Sequence, residues 1–314
     1  MSSTLTINFS LRQNKAIERA IAFDALLAAA DFVGEDPVYV GLGSLWFQDF
    51  QMAHRLLKIT KMVSIEGDDA VYKRANFNRP FRTIEVIHAA SNDAVPRLLE
   101  RRDLARRPWI AWLDYDRELN DDRLDELKKI VTGVPAGSAL LATFNAQAKN
   151  YGSDSQKRRC ALTELFTSDY VRSDLPVEAF DEPELMHTLA TILLDYLQGV
   201  GVREGREGGF VPAIRLLYRD SAYMATVGGF LPNAERTSDC TALVASDSWC
   251  GFEDSIIETH PLTMRELLAL SKLMPVEHSL DLASVKALGF ELGEDQLSFY
   301  ERHYLRYPIY AEIR

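Results

Sequence analysis

The sequence predicts an α/β fold: a doubly wound, mostly parallel sheet that ends in an antiparallel hairpin and carries a small C-terminal helical appendage. Three observations predict it. Between residues 38 and 146 short apolar runs alternate five times with helical stretches, the pattern of a parallel sheet covered by helices on both faces. The segment VPAIRLLYRDSAYMATVGGFL then reads as two strands about the polar turn Arg219-Asp220-Ser221, a hairpin signal. Finally, the apolar run Val38-Tyr39-Val40 enters Gly41-Leu42-Gly43-Ser44, a tight strand-to-helix turn at the place where such sheets bind ligands.

The elements follow in order. Ser10 is the expected N-cap of a first helix in which Ile17, Ala20, Ile21, Leu26 and Leu27 recur near helical spacing, and Gly34 stops it. The strand VYVGL comes next, then a helix over 49–58, the strand KMVSIE, a helix over 68–75 and the strand RTIEVIHA. A helix over 93–101 leads to PWIAWLDYD, and a helix over 121–131 to SALLATFNA. Residues 146–205 depart from the alternation. They hold two helices, SQKRRCALTELF and PELMHTLATILLDYLQGV, whose apolar faces mark a helical insertion used for packing. After the hairpin, Thr263 caps a helix that ends near Pro275, and DLASVKALGF and EDQLSFYERHYLRY continue helical. The expected division is therefore a main domain over 1–235 and a helical appendage over 236–314.

Bulk properties narrow the function classes. A chain of 314 residues with 47% hydrophobic and 26% charged residues can bury a sizeable core. Its formal net charge of −11 disfavours a broad nucleic-acid-binding face, which needs a basic field. The basic clusters Arg101-Arg102, Arg106-Arg107 and Lys157-Arg158-Arg159 read as solvated helix surface. Cys160, Cys240 and Cys250 are far apart, so they suggest buried thiols rather than a zinc site or disulfide framework. No basic-then-apolar leader begins the sequence, and no run approaches the roughly 18 apolar residues of a membrane span, so a cytoplasmic protein is expected.

Candidate site residues gather at the carboxyl ends of the strands. A pyrophosphate cradle places glycine at three positions, and here Trp46 stands where the third is expected. A ligand without phosphates needs only the close backbone at Gly41 and Gly43 and a small polar side chain such as Ser44; S-adenosylmethionine is such a ligand. Glu66, at the end of the second strand, is placed to accept hydrogen bonds from both ribose hydroxyls. Ala90 and Ser91 follow the third strand, where small residues admit an adenine ring, while His88 reads as structural. Asp114 and Asp116 end the fourth strand. Carboxylates at this spacing suit either a divalent cation or proton removal from a substrate hydroxyl. Lys149, Asn150 and Tyr151 follow the fifth strand, where they either line an acceptor pocket or reflect ordinary loop polarity, and Asp247, Trp249 and Glu253 form a polar and aromatic loop that is not assigned to the site.

Taken in order, VYVGLGS, VSIEGDD, IEVIHAASNDAVPRLL, WIAWLDYDREL and the terminal hairpin resemble the class I S-adenosylmethionine-dependent methyltransferases, most closely a bacterial O-methyltransferase-like branch. The resemblance covers roughly residues 30–235 and implies a Rossmann-like methyltransferase domain. It implies that Gly41, Gly43 and Ser44 bind the methionine part of the cofactor, Glu66 its ribose, and Ala90 and Ser91 its adenine. Asp114 and Asp116 would then face the transferred methyl group. The chain departs from the family pattern at Tyr39, where an acid is usual, at the missing third glycine, and at Arg117, where metal-dependent members carry lysine; Asn145 is a candidate later metal ligand. The function implied is methyl transfer to an oxygen of an unidentified acceptor. The alternative is a catalytically silent nucleotide-sensing or partner-binding protein on the same fold, with the C-terminal helices as partner surface. A nicotinamide oxidoreductase is disfavoured by Trp46 and by the hairpin.

Overall fold

A computed structural model describes residues 12–308. Seven strands form one sheet: β1 (Val38–Leu42), β2 (Lys61–Glu66), β3 (Ile84–His88), β4 (Trp109–Asp114), β5 (Ser138–Asn145), β6 (Val211–Arg219) and β7 (Tyr223–Leu231). Their order is β3-β2-β1-β4-β5-β7-β6. The first five are parallel, with Val40 opposite both Val63 and Ala111. β7 then pairs antiparallel with β5 and β6, so the hairpin read from the sequence closes the sheet, turning at residues 220–222.

The period of a strand assigns its side chains to opposite faces. Val38 and Val40 of β1, with Trp109, Ala111 and Leu113 of β4, enter one core with α4 (Ser91–Glu100), α5 (Asp121–Gly133), α6 (Ser155–Phe166) and α7 (Glu184–Arg203). Tyr39, Ile110 and Trp112 point the other way, into a core with α1 (Gln13–Ala28), α2 (Gln48–Leu56) and α8 (Thr237–Val244). Between β2 and β3 lies α3 (Asp69–Asn78), capped by the Asp68 side chain. α7 is long and apolar enough to cross a membrane, yet 56% of its apolar window is buried in the core it shares with α5 and the sheet.

Several expectations change. Ser10 lies outside the described residues. The first helix starts at Gln13 with Arg12 at its N-cap and no side-chain cap, and it ends at Ala28 before a separate 3-10 turn at Ala30–Phe32. Cys160 is exposed on α6, Cys250 is half-buried and only Cys240 is buried, so the thiols do not share one environment. Arg101 is not idle surface: it pairs with Glu85 and Asp103 and ties the end of α4 to β3. The loop containing Trp249 and Glu253 runs along β6, where the Arg215 amide donates to the Gly251 carbonyl and that of Ile257 to Leu217. It satisfies backbone groups of an edge strand.

The C-terminal helices α9 (Met264–Ser271), α10 (Leu282–Ala287) and α11 (Glu294–His303) have a small core of their own around Leu270, Val285 and Leu297. Thr263 and Glu266 form a reciprocal capping box on α9. Phe299 of α11 instead inserts into the core behind α1, and Arg306 bonds Asp24 of α1 at 2.7 Å.

Candidate active site

Strand order reverses at β1 and β4, so the connections leave on opposite faces and open a crevice at the strands' carboxyl ends. A cavity of about 440 Å³ occupies it. Gly43 and Ser44 after β1, Glu66 of β2, Ala90 and Ser91 after β3, and Asp114 and Asp116 of the β4 end all line this cavity. Gly41 does not line it. Gly41 is buried below the floor, where a Cβ would meet the Tyr39 ring at 3.2 Å and Asp49 Oδ2 at 3.4 Å.

Gly43 is glycine because of its neighbour strand. A Cβ there would stand 2.8 Å from Ser64 Oγ and 3.3 Å from Glu66 Oε2, and its amide donates to the Ile65 carbonyl at 2.6 Å. The Glu66 carboxylate therefore stands beside the glycine turn. Its Oε1 accepts the Asp68 amide at 3.0 Å. Burial raises its pKa, against the pull of that amide.

The rest of the first loop is bonded to itself. Ser44 Oγ accepts the amides of Trp46 at 3.2 Å and Phe47 at 3.3 Å. Phe47 adopts a left-handed conformation with φ of 48°, which sends its own ring into the core and leaves Trp46 40% exposed at the cavity rim. The amides of Gly43, Trp46 and Phe47 are thus engaged, and an indole occupies the position of a third glycine.

Behind the third-strand loop, Ser91 donates to Glu126 Oε2 at 2.9 Å. Burial in α5 pushes the Glu126 carboxyl up to about 7. Its Oε1 and the nearby Tyr115 hydroxyl have no hydrogen-bond partner among the described residues. Asp114 is ion-paired with Lys15 of α1. At the floor, Trp112 lines the cavity and its Nε1 donates to Thr143 Oγ1 at 2.9 Å, and Thr143 shares a 2.7 Å bond with Thr226. Beside Thr226 lies Glu18, fully buried; burial raises its pKa to about 7 despite Lys15.

The donor set does not fit a divalent cation. Among the described residues no group of three His, Cys, Asp or Glu side chains is arranged to hold one. Asp114 has an ammonium beside it, and Asn145 Oδ1 already accepts from Gln147 N and Asn150 Nδ2, both at 3.0 Å. Of the other loop candidates, Tyr151 is buried with its hydroxyl on the Asn145 carbonyl, Lys149 borders a separate open hollow, and Asp247, Trp249 and Glu253 do not line the cavity. His88 stacks on Tyr72 at 4.7 Å between ring centres.

The sequence reading missed the contribution of α1. Arg12, Lys15 and Arg19 line the cavity, as do Asp49 of α2 and Tyr218 and Met224 of the hairpin. Their signal was present: Lys15, Glu18 and Arg19 interrupt the spacing at which Ile17, Ile21 and Ala22 are buried. Asn14 fixes the start of this helix, donating to the Arg219 carbonyl and accepting the Thr259 amide at 2.7 Å.

Residues 7–314 match the model of a family described as "Putative O-methyltransferase". Among curated proteins none matches the chain in sequence. Among solved structures, Trm1 from Pyrococcus horikoshii in complex with S-adenosyl-L-methionine is similar with a TM-score of 0.43 and 14% identity, over 72% of this chain and 57% of that one. The chain thus spans less than two thirds of the length of Trm1. A "putative O-methyltransferase" from Klebsiella pneumoniae is similar with a TM-score of 0.41 and 11% identity, over 72% of this chain and 84% of that one.

Proposed function

The chain belongs to this O-methyltransferase family, and from that premise we propose that it binds S-adenosylmethionine in the cavity at the β1/β4 switch point and transfers the methyl group to an oxygen of an acceptor. The observation that carries the reading is the convergence on one 440 Å³ cavity of the glycine turn, the Glu66 carboxylate, Ala90-Ser91 and Asp114-Asp116, from the ends of four strands. In this reading Glu66 accepts from the ribose diol, Ala90 and Ser91 lie along the adenine, and the Gly43-Ser44 turn borders the methionine part. Gly41 serves the same site from beneath by allowing Asp49 to pack close.

When bound, the cofactor supplies an electrophilic sulfonium methyl. The acceptor oxygen attacks that carbon in line as the carbon–sulfur bond breaks, and the electron pair stays on sulfur. Asp114 and Asp116 orient the acceptor hydroxyl and take its proton. Lys15 holds the Asp114 carboxylate in place. The enzyme's main task is alignment, with proton removal adding to it. A cytoplasmic setting, a catalytic domain over 1–235 and a partner surface on the C-terminal helices belong to the same proposal.

Calorimetric titration of the protein with S-adenosylmethionine, S-adenosylhomocysteine and NAD tests it. The first two are expected to bind, with at least tenfold weakening in Glu66→Ala; binding of NAD alone would overturn the reading. Mass spectrometry of a hydroxyl-acceptor panel then compares wild type with Asp114→Asn and Asp116→Asn. Cofactor binding without transfer to any acceptor would favour the silent, nucleotide-sensing alternative.

A further inference from the structure

We infer that Arg19 of α1 is the anchor for a carboxylate group carried by the nucleoside in the cavity. The inference rests on the proposed cofactor reading and assigns a charged partner to the carboxylate of the methionine part that the Gly43-Ser44 turn borders.

Arg19 lines the cavity while being only 9% exposed. Its guanidinium makes no hydrogen bond and no ion pair within 4 Å among the described residues. The two other cations of the same face are committed elsewhere: Lys15 to Asp114, and Arg12 to Asp220 at 3.8 Å. Asp49 is near enough for Arg19 to oppose the rise that burial imposes on its pKa, but Asp49 Oδ2 takes its hydrogen bond from the Tyr39 hydroxyl at 2.8 Å. A guanidinium carries five N–H donors, and Arg19 presents its own to the cavity without a protein acceptor among the described residues. Its planar fork matches a carboxylate with two parallel bonds.

The surrounding loop argues for a single compact anion rather than a polyphosphate. Gly43, Trp46 and Phe47 spend their amides on Ile65 and Ser44, so three of the N–H groups of this turn are not available to a polyphosphate. A carboxylate on an otherwise uncharged nucleoside suits one arginine. The position of Arg19 is also firmly set. Its helix is held by Asn14 at one end and by the Asp24–Arg306 pair farther along, and Ile17, Ile21 and Phe23 pack into the core on either side of it.

The test compares two ligands that share the adenosine and thioether and differ in the amino-acid part: S-adenosylhomocysteine and 5′-methylthioadenosine. Titrated against wild type, Arg19→Gln and Arg19→Lys, the first ligand is expected to weaken at least tenfold in Arg19→Gln and less in Arg19→Lys. The second is expected to change less than twofold in either. Arg19 also opposes the rise that burial imposes on the pKa of Asp49, so the ligand-free melting temperature of Arg19→Gln is read alongside, and the assignment rests on the difference between the two ligands. An equal loss for both ligands with a lowered melting temperature would give Arg19 a structural role and overturn the inference, as would unchanged affinity for S-adenosylhomocysteine. Failure of wild type to bind either ligand would instead overturn the cofactor reading on which the inference stands.

Discussion

Single residues at the crevice are set by close contacts with the neighbouring strand. Gly43 has no room for a methyl group between Ser64 Oγ, the Ile65 carbonyl and Glu66 Oε2. Gly43→Ala is therefore expected to push Glu66 off its present position and weaken S-adenosylhomocysteine at least tenfold by calorimetry, while the far-ultraviolet circular dichroism is unchanged. Glu126 offers a second test. Its carboxyl is raised from the usual 4.5 to about 7 by burial. Between those values the folded protein holds a proton that the unfolded chain has released, so stability falls as pH rises from about 4.5 to 7 and levels above it. Glu126→Gln removes this slope: relative to wild type it should be near neutral at pH 5 and more stable by up to roughly 3 kcal/mol at pH 8, read by urea melts at both values. Glu66, Ser91, Asp114 and Asp116 were legible as candidates because a strand end announces itself in the sequence. The partners Glu126 and Lys15 were not, because each lies on a helix distant in the chain and its role exists only through the contact.

At the level of elements, alternation and turn chemistry were strong signals. Five apolar runs bounded by helical stretches became five parallel strands, and the hairpin turn expected at Arg219-Asp220-Ser221 forms one residue later, at 220–222, with Arg219 ending β6. Helix ends shifted by a few residues, as local capping competes with tertiary contacts. α1 is the element whose part was hidden. Its apolar spacing announces a packing helix, but the charged residues within that stripe face a cavity built by strands far along the chain. Asn14 sets the placement of α1 by joining the end of β6 to Thr259. Asn14→Ala leaves the Thr259 amide and the Arg219 carbonyl without this partner. A loss of about 1–3 kcal/mol in stability is expected, with faster hydrogen exchange along α1 and weaker S-adenosylhomocysteine binding. Unchanged exchange in α1 would show that Asn14 does not hold the helix.

For the molecule as a whole, the question is how far the C-terminal helices share the stability of the sheet. α9, α10 and α11 have their own small core, yet Phe299 is seated behind α1 at 4% exposure and Arg306 pairs with Asp24. Phe299→Ala removes a large buried ring, which in cores costs about 3 kcal/mol or more. The expected result in scanning calorimetry is a lower melting temperature for one common transition. A separate early transition confined to the C-terminal helices would show that they unfold as an independent unit. The sequence by itself determined the strand inventory, the hairpin and the rim residues Gly43, Glu66, Ser91 and Asp114, because periodicity, turn residues and strand ends are local properties of the chain. Only the tertiary structure decided that Gly41 serves packing, that Trp46 stands at the rim, and that α1 brings Lys15 and Arg19 to the same cavity. Those outcomes depend on which distant segments meet across the sheet, and burial and charge pairing are fixed there rather than along the sequence.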